Sequence, residues 1–426
     1  MDLLPWMTRW HMLPPRGGVM LCAVSGGRDS VCLLHYLASV APEHGFAVAA
    51  GHLNHRMRPE AQRDEEFVRE LCRSLGVECY TEAAPVYETA ERWGLGVEET
   101  GRKLRYDFLF RTADTIGAAR IATAHHAGDQ AETVLLNLLR GTGPEGLGGI
   151  PPVRGRIVRP LLQTDRQEIE AYVQAQGLSF VEDSTNEDTR YARNRLRRQI
   201  WPQLRTVNPA LNEAIGRTAE ILRRENDYLD ALAEERLPKQ GAAVDTAALL
   251  AAPEALRPRM VRLLLDRMPT GKKDVGGVHI DAVLTLAERG CGTLDLPEGL
   301  RAVCRRGRLE LRIKEAVPPE QTLAQGRNRW GAYEITLRGG EARRMTVRAW
   351  RGSDRLDMPQ GSRGVKRLLA DAGIPVEKRD GIPVVCVDGK PRAVYGIQER
   401  TSPDSGEEIE IIINKREFHK EDTGNG

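Results

Sequence analysis

The chain has 426 residues, room for roughly two to four domains. Hydrophobic residues make up 41% and charged residues 29%, which suits a globular protein with adequate cores, and no apolar run reaches the ~18 residues needed to span a bilayer. A net charge of +2 excludes a partner held by overall charge, and seven cysteines (22, 32, 72, 79, 291, 304, 386) without a C-x-x-C pair argue against structural zinc or a disulfide framework. Residues 1–18 carry tryptophans and prolines without a basic start and apolar stretch, so no secretory signal is expected, and a cytoplasmic location is.

In chain order, apolar runs at 19–24 and 46–53 predict buried strands, and 65–75 predicts a helix with Phe67, Val68, Leu71, Cys72 and Leu75 on one stripe. A third strand is expected at 77–81, a helix at 97–116, a fourth strand at 120–124 and a helix at 129–140. Such alternation predicts an α/β fold: a doubly wound parallel sheet with helices on both faces. Ligands of such sheets sit outside the carboxyl ends of the strands. Three polar clusters follow predicted strands: Ser25-Gly26-Gly27-Arg28-Asp29-Ser30, His52-Leu53-Asn54-His55 and His125-His126.

The first cluster is a strand–glycine turn–helix junction. Backbone N–H groups there favour an anion, and Gly26 and Gly27 let phosphate oxygens approach the main chain. The lysine of a G-x-x-x-x-G-K-[ST] loop is missing, so the usual ATPase cradle is excluded. Asp29 would hold Mg²⁺ rather than touch phosphate. A Gly-Gly turn capped by Ser or Asp is the plainer reading of the same residues.

At 129–140, Asp129, Glu132 and Thr133 share one face by their i, i+3, i+4 spacing, with Leu135, Leu136, Leu138 and Leu139 on the core side. Two acids in a first turn also suit the helix dipole, so a capped helix explains them as well as a site for a cation or Mg²⁺ does. His52, His55 and His125 suit phosphate contact or acid–base work, and equally a structural role. Arg105 is placed to neutralise a leaving pyrophosphate, or to sit on a solvated helix face.

Helices are expected at 165–176, 212–237, 246–268 and 279–289, and strand-like pieces at 299–314. Residues 318–326 read as a linker, 346–413 as short strands with a helix near 365–372, and 415–426 as a disordered tail. Basic residues between 154 and 205 are all arginine, and a second basic stretch runs from Arg343 to Arg367. Two basic stretches on a nearly neutral chain fit either two solvated faces or a long polyanion touched twice.

Further blocks appear in order: Glu98-Glu99-Thr100-Gly101-Arg102-Lys103-Leu104-Arg105-Tyr106, Ala124-His125-His126-Ala127-Gly128-Asp129-Gln130-Ala131-Glu132-Thr133, Glu182-Asp183-Ser184-Thr185-Asn186 and Arg193-Asn194-Arg195. With the glycine loop, they resemble the bacterial tRNA(Ile)-lysidine synthetases, of the PP-loop ATP pyrophosphatase superfamily. That family usually has two aspartates before the glutamine, where this chain has Gly128-Asp129.

The resemblance implies an adenine nucleotide α-hydrolase-like domain at 1–210, a helical tRNA-binding middle domain at 211–320 and a small α+β tRNA-binding domain at 327–414. It implies a ligase that joins free L-lysine to C2 of the wobble cytidine of a CAU anticodon, through an adenylated cytidine, releasing AMP and pyrophosphate. Ser25, Gly26, Gly27, Arg28, Asp29, Ser30 and His52 would bind ATP, with Mg²⁺ on Asp29. Asp29, Arg105, His125, Asp129 and Glu132 would form the catalytic set, the last two gripping lysine. Asn186, Arg193, Asn194, Arg195 and Arg197 would approach tRNA(Ile). A homodimer is left open, and no membrane partner is expected. Two alternatives share the loop: a 2-thiolating tRNA enzyme, which generally needs a cysteine pair or an iron–sulfur cluster, and a non-catalytic ATP-binding sensor, which needs no second basic region.

Overall fold

Alternating apolar runs and amphipathic helices build a parallel sheet in the first half of the computed structural model. The structure describes residues 1–56, 61–181, 192–271, 274–314, 316–339, 343–358, 361–375, 379–397 and 409–415. The chain divides into two compact units, Met1–Asp227 and Tyr228–Gly426.

In the first unit, α1 (Leu4–Arg9) precedes β1 (Val19–Ala23), α2 (Arg28–His44), β2 (Ala47–Asn54), α3 (Ala61–Ser74) and β3 (Glu78–Ala83). Next come α4 (Val86–Trp93), α5 (Val97–Thr115), β4 (Ala118–Ala122), α6 (Ala127–Leu139) and the single turn α7 (Pro144–Leu147). A short hairpin of β5 (Val153–Arg154) and β6 (Ile157–Val158) leads to α8 (Arg166–Ala175). Then follow α9 (Ala192–Arg195), a π-helical turn at Leu196–Ile200, α10 (Trp201–Val207) and α11 (Leu211–Glu234), whose residues from Tyr228 onward belong to the second unit.

The strand order is β3-β2-β1-β4-β6-β5, parallel except for the β5–β6 hairpin. The residues of β1 alternate between two cores. Met20 and Cys22 join Leu33, Leu37, Ile169 and Val173 on one face, while Leu21 joins Ala49, Phe108, Leu109 and Ile121 on the other. A strand buried on both faces reads as a continuous apolar run, which is why 19–24 was legible. The chain leaves β1 toward β2 and returns to place β4 on the other side, so the carboxyl ends of β1 and β4 border the topological switch point.

Helix α6 starts at Ala127, two residues before the sequence predicts, because the His126 side chain accepts the Gly128 N–H and Asp129 accepts the His126 N–H in a capping box.

In the second unit, the expected helix at 246–268 is two helices, α12 (Thr246–Ala251) and α13 (Arg257–Asp266). Pro253 lies between them, and proline lacks the N–H that would continue the first. With α14 (Gly277–Arg289) they share a core with a four-stranded sheet of β7 (Ala243–Asp245), β8 (Gly292–Asp295), β9 (Leu300–Arg305) and β10 (Arg308–Ile313).

Within the segment read as a linker, β11 (Gln321–Thr322) pairs with β14 (Met345–Ala349). Then come β12 (Gly326–Trp330), β13 (Tyr333–Arg338), β15 (Arg355–Met358), β16 (Gly361–Gly364), α15 (Val365–Asp371), β17 (Pro383–Val387), β18 (Lys390–Val394) and β19 (Glu410–Lys415). Lys415, read as the start of the tail, is the last residue of β19. Among the described residues no helix is long and apolar enough to cross a membrane.

Candidate active site

The glycine loop joins β1 to α2 at the carboxyl edge of the sheet. Gly26 has φ +90°, and a Cβ there would meet Val68, Phe67 and Val181 at 3.4–3.7 Å. The left-handed backbone, more than crowding, requires glycine. Ser30 Oγ accepts the Ser25 N–H at 3.1 Å and donates to the Gly27 carbonyl at 2.8 Å, which fixes the turn. Gly27 is the N-cap of the 17-residue α2 and gives no side-chain cap, so the first N–H groups of α2 stay available to an anion. The Arg28 guanidinium pairs with Glu170 and stands 4.9 Å over the Phe180 ring. The Arg28 guanidinium thus points to Glu170 and Phe180, while its charge still draws the Asp29 carboxyl down.

Behind the loop, His52 Nδ1 lies 2.9 Å from the Val24 carbonyl and donates to it. This leaves His52 Nε2 as a buried acceptor without a hydrogen-bond partner. Burial holds the His52 imidazole below its usual range. His55 is pushed down to about 4 by burial, with the charge of Arg105 adding to the effect. Burial likewise lowers His125; Asp129 opposes this, and Arg159, Arg105 and Arg193 add to it. Thr123 Oγ1 lies 3.0 Å from His125 Nδ1. Neutral imidazoles among arginines make a cationic surface that a polyphosphate would complete.

Arg159 is the member of this group that sequence reasoning missed. It is buried at 5% exposure just beyond β6, and its Nε has no hydrogen-bond partner. The only signal was its place in the all-arginine stretch.

The β4 end supplies the carboxylates. His126 Nε2 lies 3.8 Å from Asp29 Oδ2 and 3.7 Å from Asp129 Oδ2, so one imidazole links the glycine loop to α6. Burial raises the Asp29 carboxyl above its usual range; His126 pulls it down and Asp129 pushes it up. Burial also acts on Asp129, but His126, His125 and Arg193 outweigh it and hold that carboxyl low.

Glu132 is 4% exposed. Arg197 Nε donates to its Oε1 at 2.6 Å and Arg197 Nη2 to its Oε2 at 3.0 Å, while Arg193 Nε donates to Oε2 at 2.9 Å. Arg197 Nη2 also reaches Asp129 Oδ1 at 3.4 Å. Two residues expected near tRNA thus lie on the two carboxylates expected to grip lysine. Arg193 and Arg197 share a helical face by i, i+4 spacing. Arg195, on another face, is exposed, and Asn194 is half-buried. Asn186 lies outside the described residues.

Among the described residues no group of three His, Cys, Asp or Glu is arranged to hold a metal ion. Asp29 nevertheless fits Mg²⁺: its carboxylate stands at the mouth of the anion-favouring loop, and Mg²⁺ takes one or two carboxylates with substrate phosphates and water supplying the rest.

A nucleotide loop at a switch point, opposite paired carboxylates, defines a PP-loop enzyme. The PP-loop domain family matches residues 11–204, and the TilS substrate C-terminal domain family matches residues 345–408. The tRNA(Ile)-lysidine synthase of Symbiobacterium thermophilum is 33% identical, covering 96% of this chain and 96% of its own. That of Geobacter sulfurreducens is 34% identical over 87% of this chain and 86% of its own, and that of Bacillus subtilis 30% over 88% of each. The chain belongs to the tRNA(Ile)-lysidine synthase family. It is an ATP-dependent ligase with ATP as co-substrate, and these relatives do not favour the thiolase and sensor alternatives.

Proposed function

We propose that this protein ligates free L-lysine to C2 of the wobble cytidine in the CAU anticodon of tRNA(Ile), using ATP, in the cytoplasm. The observation that carries this reading is His126, which lies within 3.8 Å of both Asp29 in the nucleotide loop and Asp129 in the carboxylate pair. That proximity supports an anion-receiving site and a cation-receiving site side by side, as suits a reaction between a nucleotide and an amine.

The free N–H groups of α2 and the loop of Ser25, Gly26, Gly27 and Ser30 receive the ATP phosphates. The lone pair of His52 Nε2 suits an amino or hydroxyl donor of the adenosine. Asp29 holds Mg²⁺, which when bound neutralises phosphate charge. The cytidine O2 attacks the α-phosphorus and pyrophosphate leaves, with Arg105 and His125 beside the departing charge. Asp129 and Glu132 then grip lysine. Its ε-ammonium loses a proton to solvent, the free amine attacks C2, and AMP departs with the former O2. Arg193, Asn194, Arg195 and Arg197 receive the anticodon arm, and the basic stretch of the second unit contacts another part of the tRNA.

The test uses purified protein, ATP, radioactive lysine and tRNA(Ile) with a CAU anticodon. Label should enter the tRNA in step with pyrophosphate release. Release without lysine incorporation would overturn the assignment.

A further inference from the structure

The site for the lysine ammonium is already filled by the chain itself. We propose that Arg193 and Arg197 act as an internal competitor for lysine, and that lysine gains the carboxylates only when RNA draws these guanidiniums away. The proposal rests on the reading of Asp129 and Glu132 as the lysine grip.

Charge balance comes first. Asp129 and Glu132 are each already paired with the guanidiniums of Arg193 and Arg197. An incoming ammonium would have to share these two acids with both arginines in a largely buried space, a poor exchange until one guanidinium leaves.

Geometry supports the same point. Arg197 meets Glu132 through two donors, the arrangement in which arginine holds a carboxylate most firmly, and Arg193 occupies the remaining approach to Oε2. Lysine offers a single ammonium and cannot match that fork.

Accessibility then distinguishes the partners. The Glu132 side chain is 5% exposed, whereas those of Arg193 and Arg197 are 40% and 37% exposed. A polyanion reaches the arginines from outside; an ammonium does not reach Glu132 without moving them. RNA phosphate is the ligand best able to replace a carboxylate as a bidentate partner of arginine. Arg197 also lies in the π-helical turn Leu196–Ile200, a form found mostly as single turns and frequently at functional sites. The exchange would admit lysine after the tRNA, when an acceptor for the amine is in place.

The experiment is equilibrium dialysis of radiolabelled lysine against the full chain, without ATP so that nothing turns over. Wild-type protein should bind lysine at least about tenfold more tightly with tRNA(Ile) present than without it. Arg197→Gln should bind lysine about tenfold more tightly than wild type in the absence of RNA, and tRNA should add little. Arg193 still pairs with Glu132 in that variant, and Arg193→Gln provides a second variant expected to move the same way. Equal or weaker lysine binding by both folded variants without RNA overturns the competitor. Glu132→Gln separates the two readings: if it binds lysine as tightly as wild type with tRNA present, the lysine-grip reading itself fails. If Glu132→Gln loses lysine while the arginine variants change nothing, only the competitor fails.

Discussion

The imidazole of His126 folds over the backbone of Gly128: His126 Nδ1 accepts the Gly128 N–H at 2.9 Å, and a Cβ on Gly128 would stand 2.7 Å from His126 Cε1. The resemblance leads one to expect an acid here, and the structure shows what glycine permits instead. The ring caps α6 and stays within reach of Asp29 and Asp129. Gly128→Asp should push the ring out. The lost cap costs about 1 kcal/mol of stability, read by denaturant unfolding. Pyrophosphate release should fall roughly tenfold, as expected for a misplaced positioning group. A variant with unchanged release would show that the His126 position is dispensable.

Asp129 and Glu132 should separate the two half-reactions. Asp129→Asn and Glu132→Gln keep shape but remove charge, so lysine transfer should fall on the order of 10²-fold, while tRNA-dependent pyrophosphate release falls only a few-fold. Single-turnover assays with labelled ATP and labelled lysine measure each step. Equal losses in both would place these carboxylates in adenylation instead.

The histidines predict an acid-sensitive window. His55 ordinarily titrates at 6.5 and is held at about 4 in the fold. A depressed histidine contributes stability above its unfolded value, and that stability is lost as pH falls through the folded value. Unfolding free energy should therefore drop between pH 6.5 and about 4, with a shallower slope in His55→Gln. Saturating ATP should also flatten the slope, because phosphate charge favours the imidazolium. An unaltered slope in the variant would assign the acid loss to other groups.

What the sequence revealed and what it hid have physical causes. The double-sided burial of β1 and β2 wrote itself as apolar runs, and the glycine loop was legible because only glycine takes φ +90° at position 26. The two-residue strands β5 and β6 carry too few residues to show a period, so Arg159 beyond them went unseen. The ion pairs of Arg193 and Arg197 span more than 60 positions, Arg193 to Glu132 being 61 apart and Arg197 to Glu132 being 65. Local spacing shows that the arginines share a face, but not what that face meets.

Asp29 offers the clearest conflict between stability and chemistry. The fold holds its carboxyl above the ordinary value of 3.8, chiefly through burial, so ionising it costs stability. Its contribution is fully present below that value and is lost as pH rises through the folded one. Asp29→Asn removes the cost. The variant should gain stability over wild type as pH rises above the ordinary value of 3.8, by about a few tenths of a kcal/mol because the side chain is 39% exposed and solvent screens it. The same change removes the carboxylate that suits Mg²⁺, so pyrophosphate release should fall on the order of 10²-fold and require more Mg²⁺. Thermal unfolding across pH and a Mg²⁺ titration of pyrophosphate release measure the two effects on one variant. A less stable Asp29→Asn with an unshifted Mg²⁺ requirement would make Asp29 a first-turn acid that serves the dipole of α2 rather than a metal ligand.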